Sequence, residues 1–73
     1  METLDCSGLE CPMPIVELTK KIRKMKVGEE LNLITTAEGS REDVPVWCNR
    51  TGNELLGLDM EAGRFVFHIK KLK

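Results

Sequence analysis

Polar and apolar residues alternate along this chain with two different periods, and the places where the period changes divide it into six elements. Between Pro12 and about Met25, Ile15, Leu18, Ile22 and Met25 recur at spacings of three, four and three, with Glu17, Lys20, Lys21 and Lys24 on the other side. That spacing predicts an amphipathic helix, and Gly28 just beyond it is the expected stop. Upstream, Thr3 to Cys6 reads as a short strand with Leu4 as its buried residue, and Gly8 supplies the freedom to turn toward the helix. From Glu30 to Thr36, Leu31 and Leu33 alternate with Asn32 ahead of Ile34, Thr35 and Thr36, which predicts a second strand. After the loop Ala37 to Gly39, Ser40 and Asp43 are spaced as a capping pair, and Val44, Trp47 and Cys48 share one face of a second helix. Pro45 leaves two starts open, because a cap at Ser40 buries it too deep in the helix whereas a start near Asp43 accommodates it. Thr51, Gly52 and Asn53 end that helix. Leu56, Leu58 and Met60 then alternate with Gly57 and Asp59 in a third strand, Glu61-Ala62-Gly63 forms a tight turn, and Phe65, Phe67 and Ile69 line one face of a fourth.

The order strand, helix, strand, helix, strand, strand predicts an α+β fold, a two-layer α/β sandwich. Two helices are too few to cover both faces of a sheet, so both pack on one face of a mixed four-stranded sheet whose last two strands are antiparallel. No repeat, linker or low-complexity tract interrupts residues 1–73, which read as a single domain.

Composition narrows the partners. A net charge of -1 with 32% charged residues excludes a bulk polycation, so any nucleic-acid contact needs a local patch. Lys20, Lys21, Arg23, Lys24 and Lys26, joined by Arg41 and Arg50, are the candidate patch. They serve either to complement the dipole at a helix C-terminus or to dock an acidic protein or an RNA backbone. No apolar run approaches the roughly 18 residues of a membrane span, and the N-terminus has no secretory pattern, so the expected location is cytoplasmic, without membrane contact. The 3 cysteines, an odd number, agree with free thiols.

The candidate chemistry lies at Cys11-Pro12-Met13-Pro14. Cys11 falls where the first helix begins, beside backbone N–H groups and the positive end of the helix dipole, both of which favour thiolate. Pro12 suits a first helical position, and Pro14 is still within the first turn. Cys11 is either a poised nucleophile or simply a small capping residue. The one histidine, His68, lies on the last strand, which gives a Cys-His hydrolytic pair little support. The gap between Cys6 and Cys11 is not that of Cys-x-x-Cys centres, so neither a metal nor another cofactor is expected. A disulfide between them, acting as a redox sensor, is a further alternative. Cys48 beside Trp47 reads as a buried small hydrophobe.

Leu4-Asp5-Cys6-Ser7-Gly8-Leu9-Glu10-Cys11-Pro12-Met13-Pro14 resembles the L-D-x-x-G-x-x-C-P-x-P signature of the TusA/SirA-like sulfur-carrier family. Asp43-Val44-Pro45 with Trp47-Cys48 resembles its second landmark, and Gly52-Asn53-Glu54-Leu55-Leu56 the segment after it, so the likeness spans the chain. The resemblance implies that Cys11 accepts a sulfur atom as a persulfide from a cysteine desulfurase or another sulfurtransferase. It implies transfer onward to an acceptor protein, in tRNA thiolation or other sulfur trafficking, with tRNA touched at most indirectly. Asp5 and Gly8 would then shape the loop, Pro12 and Pro14 present the thiol, and Asp43 with Pro45 cap or orient the second helix. Cys6 is not required by that mechanism, and a second thiol could resolve or intercept the persulfide. The competing reading is a non-catalytic RNA- or protein-binding module that uses the basic face of the first helix.

Overall fold

The computed structural model describes residues 2–10 and 12–73. Its elements run β1 (Glu2–Cys6), α1 (Met13–Arg23), β2 (Glu30–Thr35), α2 (Ser40–Thr51), β3 (Glu54–Glu61) and β4 (Arg64–Lys70). The strands form a 4-stranded sheet in the order β1-β2-β4-β3. β1 pairs with β2 in parallel, while β4 is antiparallel to both β2 and β3. This is the α+β architecture that the alternation predicts.

The core is a single layer between sheet and helices. Leu31, Leu33, Phe65, Phe67 and Ile69 from the central strands meet Leu18, Ile22 and Met25 from α1 and its C-terminal flank, and Val44, Trp47 and Cys48 from α2. β2 and β4 read as strict alternations because their inner residues are buried and their outer residues half-buried. At β1 the expectation needs correcting. Leu4 is half-buried, and the fully buried residue is Cys6, paired in register with buried Thr35. The chain therefore enters its first turn from inside the core.

Both helices begin differently from the sequence expectation, and α1 also ends differently, whereas α2 ends at Thr51 with Gly52 as its cap, as expected. α1 stops at Arg23, well short of Gly28. Its last turn tightens through Lys24 N–H to Lys21 C=O and Met25 N–H to Ile22 C=O, and Lys71 Nζ donates to the Ile22 and Met25 carbonyls at 2.7 Å each. A lysine from the far end of the chain thus satisfies carbonyls that a glycine cap would otherwise serve. Gly28 instead occupies a turn from Lys26 to Glu29 at φ +94°, with its N–H on the Lys71 carbonyl. In α2, Ser40 is the first helical residue and not the cap. Gly39 is the cap, and the Ser40 hydroxyl turns inward to meet the Thr35 hydroxyl at 3.2 Å, so each buried oxygen has a partner. Pro45 consequently lies inside the helix, where its ring removes one hydrogen bond to the Arg41 carbonyl. The preceding turn is tight, with Ser40, Arg41 and Glu42 each bonding three residues back.

β3 also departs from expectation. Leu56, Leu58 and Met60 are exposed, and Leu55 is the residue that packs against the core. A register shift between Leu55 and Gly57 breaks the simple alternation.

Candidate functional site

The segment that carries the chemistry leaves the C-terminal end of β1 and enters α1. Leu9 N–H bonds the Cys6 carbonyl at 3.1 Å, closing a turn whose third residue, Gly8, has φ +83°. A Cβ at Gly8 would meet nothing within 4 Å, so the left-handed backbone rather than space demands glycine there. Asp5 Oδ1 accepts Ser7 N–H at 2.9 Å, and its hydrogen bonds from Ser7 hold the carboxyl below the usual carboxylate range. The Thr36 hydroxyl accepts Gly8 N–H at 2.9 Å and ties the turn to the end of β2. Asp5, Gly8 and Thr36 together hold this turn, and Thr36 is a member that the sequence reading missed. Its only sequence signal was a hydroxyl at the end of a strand.

Cys11, the predicted centre, lies outside the described residues. The chain is pinned on both sides of it. Met13 N–H bonds the Glu10 carbonyl at 2.8 Å, and Ile15 N–H and Val16 N–H share the Pro12 carbonyl at 3.1 Å each. Pro12 is thus the cap and not the first helical residue, while Pro14 is buried in the first turn. One feature of the predicted electrostatics needs revision. Pro12 and Pro14 have no N–H, and those of Met13 and Ile15 are already donated to carbonyls, so the described first turn offers few open donors to an anion. The helix dipole remains, with no acidic residue in that turn to offset it.

Two depressions flank this segment. One, of about 540 Å³, lies between the β1 turn and the loop before α2, with Gly8, Glu10, Thr36 and Glu38 in its wall. The other, of about 360 Å³, runs between the N-terminus of α1 and the side of α2, with Pro12, Ile15, Val46 and Trp47 as floor and Glu42, Asp43 and Arg50 at the rim. Asp43 thereby lines the same depression as Pro12, and its N–H serves the helix by bonding the Gly39 carbonyl. The structure does not bring the lysines there. Lys20, Lys21 and Arg23 occupy the last turn of α1, roughly 10–15 Å along the axis from its first residue. Lys21 pairs with Glu2 at 2.7 Å, and Lys20 with Glu17 at 3.7 Å.

Over residues 2–71 the sequence matches the family described as Sulfurtransferase TusA. The chain belongs to the TusA family. It is 43% identical over 70 residues to the sulfur carrier protein TusA of Allochromatium vinosum, covering 96% of this chain and 92% of that protein. To the sulfur carrier protein TusA of Pseudomonas entomophila it is 42% identical over 69 residues, covering 94% and 86%. A longer relative from Aquifex aeolicus is 42% identical over 69 residues, and this chain spans 35% of its length. The crystal structure of a SirA-like protein from Desulfitobacterium hafniense superposes with a TM-score of 0.85 at 20% identity over the whole of both chains, a likeness of fold.

In this TusA-family chain the remaining thiols are interior. Cys6 is 1% exposed, and burial, followed by the charges of Glu17 and Asp5, pushes its thiol up. Cys48 is 3% exposed, and burial pushes its thiol up to about 11. Both are free, as the reading of Cys48 as a small core residue requires. His68 is half-buried on β4, bonded through Nδ1 to Asn32 Oδ1 at 2.6 Å and through Nε2 to Asp59 Oδ2 at 2.7 Å. Among the described residues no three His, Cys, Asp or Glu side chains gather as a metal site, and no helix is long and apolar enough to cross a membrane.

Proposed function

We propose that this sulfur carrier takes its sulfur on Cys11. The Cys11 thiolate attacks the terminal sulfur of a persulfide on a cysteine desulfurase or other sulfurtransferase. A bond forms between Cys11 Sγ and that sulfur, the donor's S–S bond breaks, and the donor cysteine leaves as a thiolate, so no external oxidant or reductant is needed. The resulting persulfide is then attacked by an acceptor protein's thiolate, and the sulfur passes on toward tRNA thiolation or another sulfur-trafficking route of the cytoplasm. The protein acts stoichiometrically, as a shuttle.

The observation that carries this reading is the burial of the other two thiols. With Cys6 and Cys48 sealed in the core and held protonated, neither can meet a partner's active cysteine without unfolding. Gly8, Leu9 and Glu10 line one open depression and Pro12 lines the other, and either could receive the partner. Lys20, Lys21, Arg23 and Lys24 lie at the other end of α1, where they would contact an acidic partner surface. Lys20 pairs with Glu17 and Lys21 with Glu2, which disfavours the alternative of an RNA-binding module.

Incubation with a cysteine desulfurase, cysteine and pyridoxal phosphate should add the mass of one sulfur atom. Cys11→Ser should abolish the adduct and Cys48→Ser should retain it. An adduct that survives loss of Cys11 overturns the assignment. Disulfide trapping through Cys11, with Cys6 and Cys48 changed to Ser, would then name the donor and the acceptor.

A further inference from the structure

β3 lies at an edge of the sheet, bonded to β4 alone, and at 8 residues it is longer than the other strands. Leu58 and Met60 stand opposite Phe67 and Phe65 in the β4 register. Directly opposed residues share a face, so both point to the helix side of the sheet. Phe67 and Phe65 are buried there, yet Leu58 is 40% and Met60 63% exposed. The cause is the connection. α2 runs into β3 through Gly52 and Asn53, so the helix layer covers the start of the strand at Leu55 and leaves its second half bare.

The bare strand is acidic. Glu54, Asp59 and Glu61 are all exposed, and the strand contains no Lys or Arg. Lys70 and Arg64 stand opposite Glu54 and Glu61 on the β4 side, and His68 bonds Asp59, but no strand lies on the outer flank. Exposed sheet edges are blunted by charged side chains, above all lysine, by proline or by bulges; β3 has no lysine or proline, and its register shift lies at Leu55 to Gly57, ahead of the bare second half. β1, the opposite edge, is shorter, and its Glu2 is occupied by Lys21.

A second copy of this chain fits poorly. In an antiparallel pair of β3 strands Glu54 would oppose Glu61 at both ends, and in a parallel pair each acid would lie beside its own counterpart. Like charges so placed repel. We propose that the outer edge of β3 docks an extended segment of a partner protein in which apolar residues alternate with Lys or Arg. Main-chain hydrogen bonds would extend the sheet to five strands, with the apolar side chains over Leu58 and Met60 and the cations against Glu54, Asp59 and Glu61. The register Cys6, Thr35, Phe65, Met60 crosses the whole sheet. Met60 therefore lies at the end from which the loop to Cys11 departs, three strand spacings or about 14 Å from Cys6. A partner held there leaves that loop open. The docking surface does not depend on the chemistry assigned to Cys11.

The test is titration of the full-length, isotope-labelled chain with an eight-residue peptide of alternating Lys and Val, and separately with its Glu-Val counterpart. The basic peptide should shift the backbone amides of Glu54 to Glu61, bind less tightly as salt rises, and lose about tenfold in affinity with the double substitution Leu58→Ser, Met60→Ser. Those side chains are exposed, so the variant's unchanged amide spectrum elsewhere will confirm that it folds. Absence of binding, equal binding of the Glu-Val peptide, shifts confined to other elements, or self-association through β3 in sedimentation equilibrium would each overturn the proposal.

Discussion

The indole Nε1–H of Trp47 donates to the Thr19 hydroxyl at 3.0 Å, and that hydroxyl donates in turn to the Ile15 carbonyl at 2.8 Å. A buried tryptophan of α2 is thereby fastened to the first turns of α1, at the floor of the groove beside Pro12. Trp47→Phe should cost about 1–3 kcal/mol, from the lost hydrogen bond and the vacated indole volume. A double-mutant cycle with Thr19→Val, followed by urea unfolding, should give a coupling energy of about 1 kcal/mol. Simple additivity would show that the bond contributes nothing.

The hairpin between β3 and β4 has a two-residue loop, Ala62-Gly63, in which both residues have positive φ, 49° and 77°. This is the pattern of a type I′ turn, which favours Asn-Gly and strains alanine. Ala62→Asn should raise stability by about 0.5–1 kcal/mol, seen as a rise in thermal midpoint of a few degrees without change in the amide spectrum beyond the turn.

The periodic stretches were legible because each buries a regular face. The apolar spacing of α1 and the alternation of β2 and β4 name the residues that the core contains. What the spacing could not reveal depends on contacts made across the chain. Lys71 ends α1 in place of Gly28, and the demand of buried Thr35 for a partner draws Ser40 inward from its predicted capping role. Leu58 and Met60 alternate as core residues do, but the path of α2 leaves them bare. At the site, the turn at Asp5 and Gly8 was readable from local turn chemistry, whereas Pro12 caps α1 and is not its first residue. Thr36 and the Trp47–Thr19 link join residues 28 apart, and no local pattern encodes them.

Burial of Cys48 ties stability to alkaline pH. Its thiol is raised from 9.0 to about 11 in the folded chain. A raised folded value means that this contribution is complete below the unfolded pKa and is lost as pH climbs through the folded one, because the unfolded chain releases the proton first. Between pH 9 and about 11 the wild type should lose about 2–3 kcal/mol more than Cys48→Ala, measured by urea unfolding under reducing conditions. Cys6 adds a change of the same sign, since burial also raises its thiol. Equal pH slopes for wild type and Cys48→Ala would show that the Cys48 thiol is not sealed.

The two prolines at the start of α1 make a prediction about Cys11 itself. A helix N-terminus stabilises an anion through unpaired N–H groups, yet here Pro12 and Pro14 supply none, and those of Met13 and Ile15 are spent on the Glu10 and Pro12 carbonyls. The prolines fix the turn at the expense of its donors. Pro14→Ala would restore one N–H within the first turn, where it adds to the positive end of the dipole. The Cys11 alkylation pKa should then fall, by about 0.2–0.7 units if the gain is about 0.3–1 kcal/mol. The folded state should be weakened at the same time, because Pro14 is buried and alanine leaves part of its volume empty. Iodoacetamide kinetics against pH, in a background with Cys6 and Cys48 changed to Ala, separate the two effects. A pKa that stays level or rises would mean that the thiolate is set by the loop that Asp5, Gly8 and Thr36 hold in place, and not by the helix beneath it.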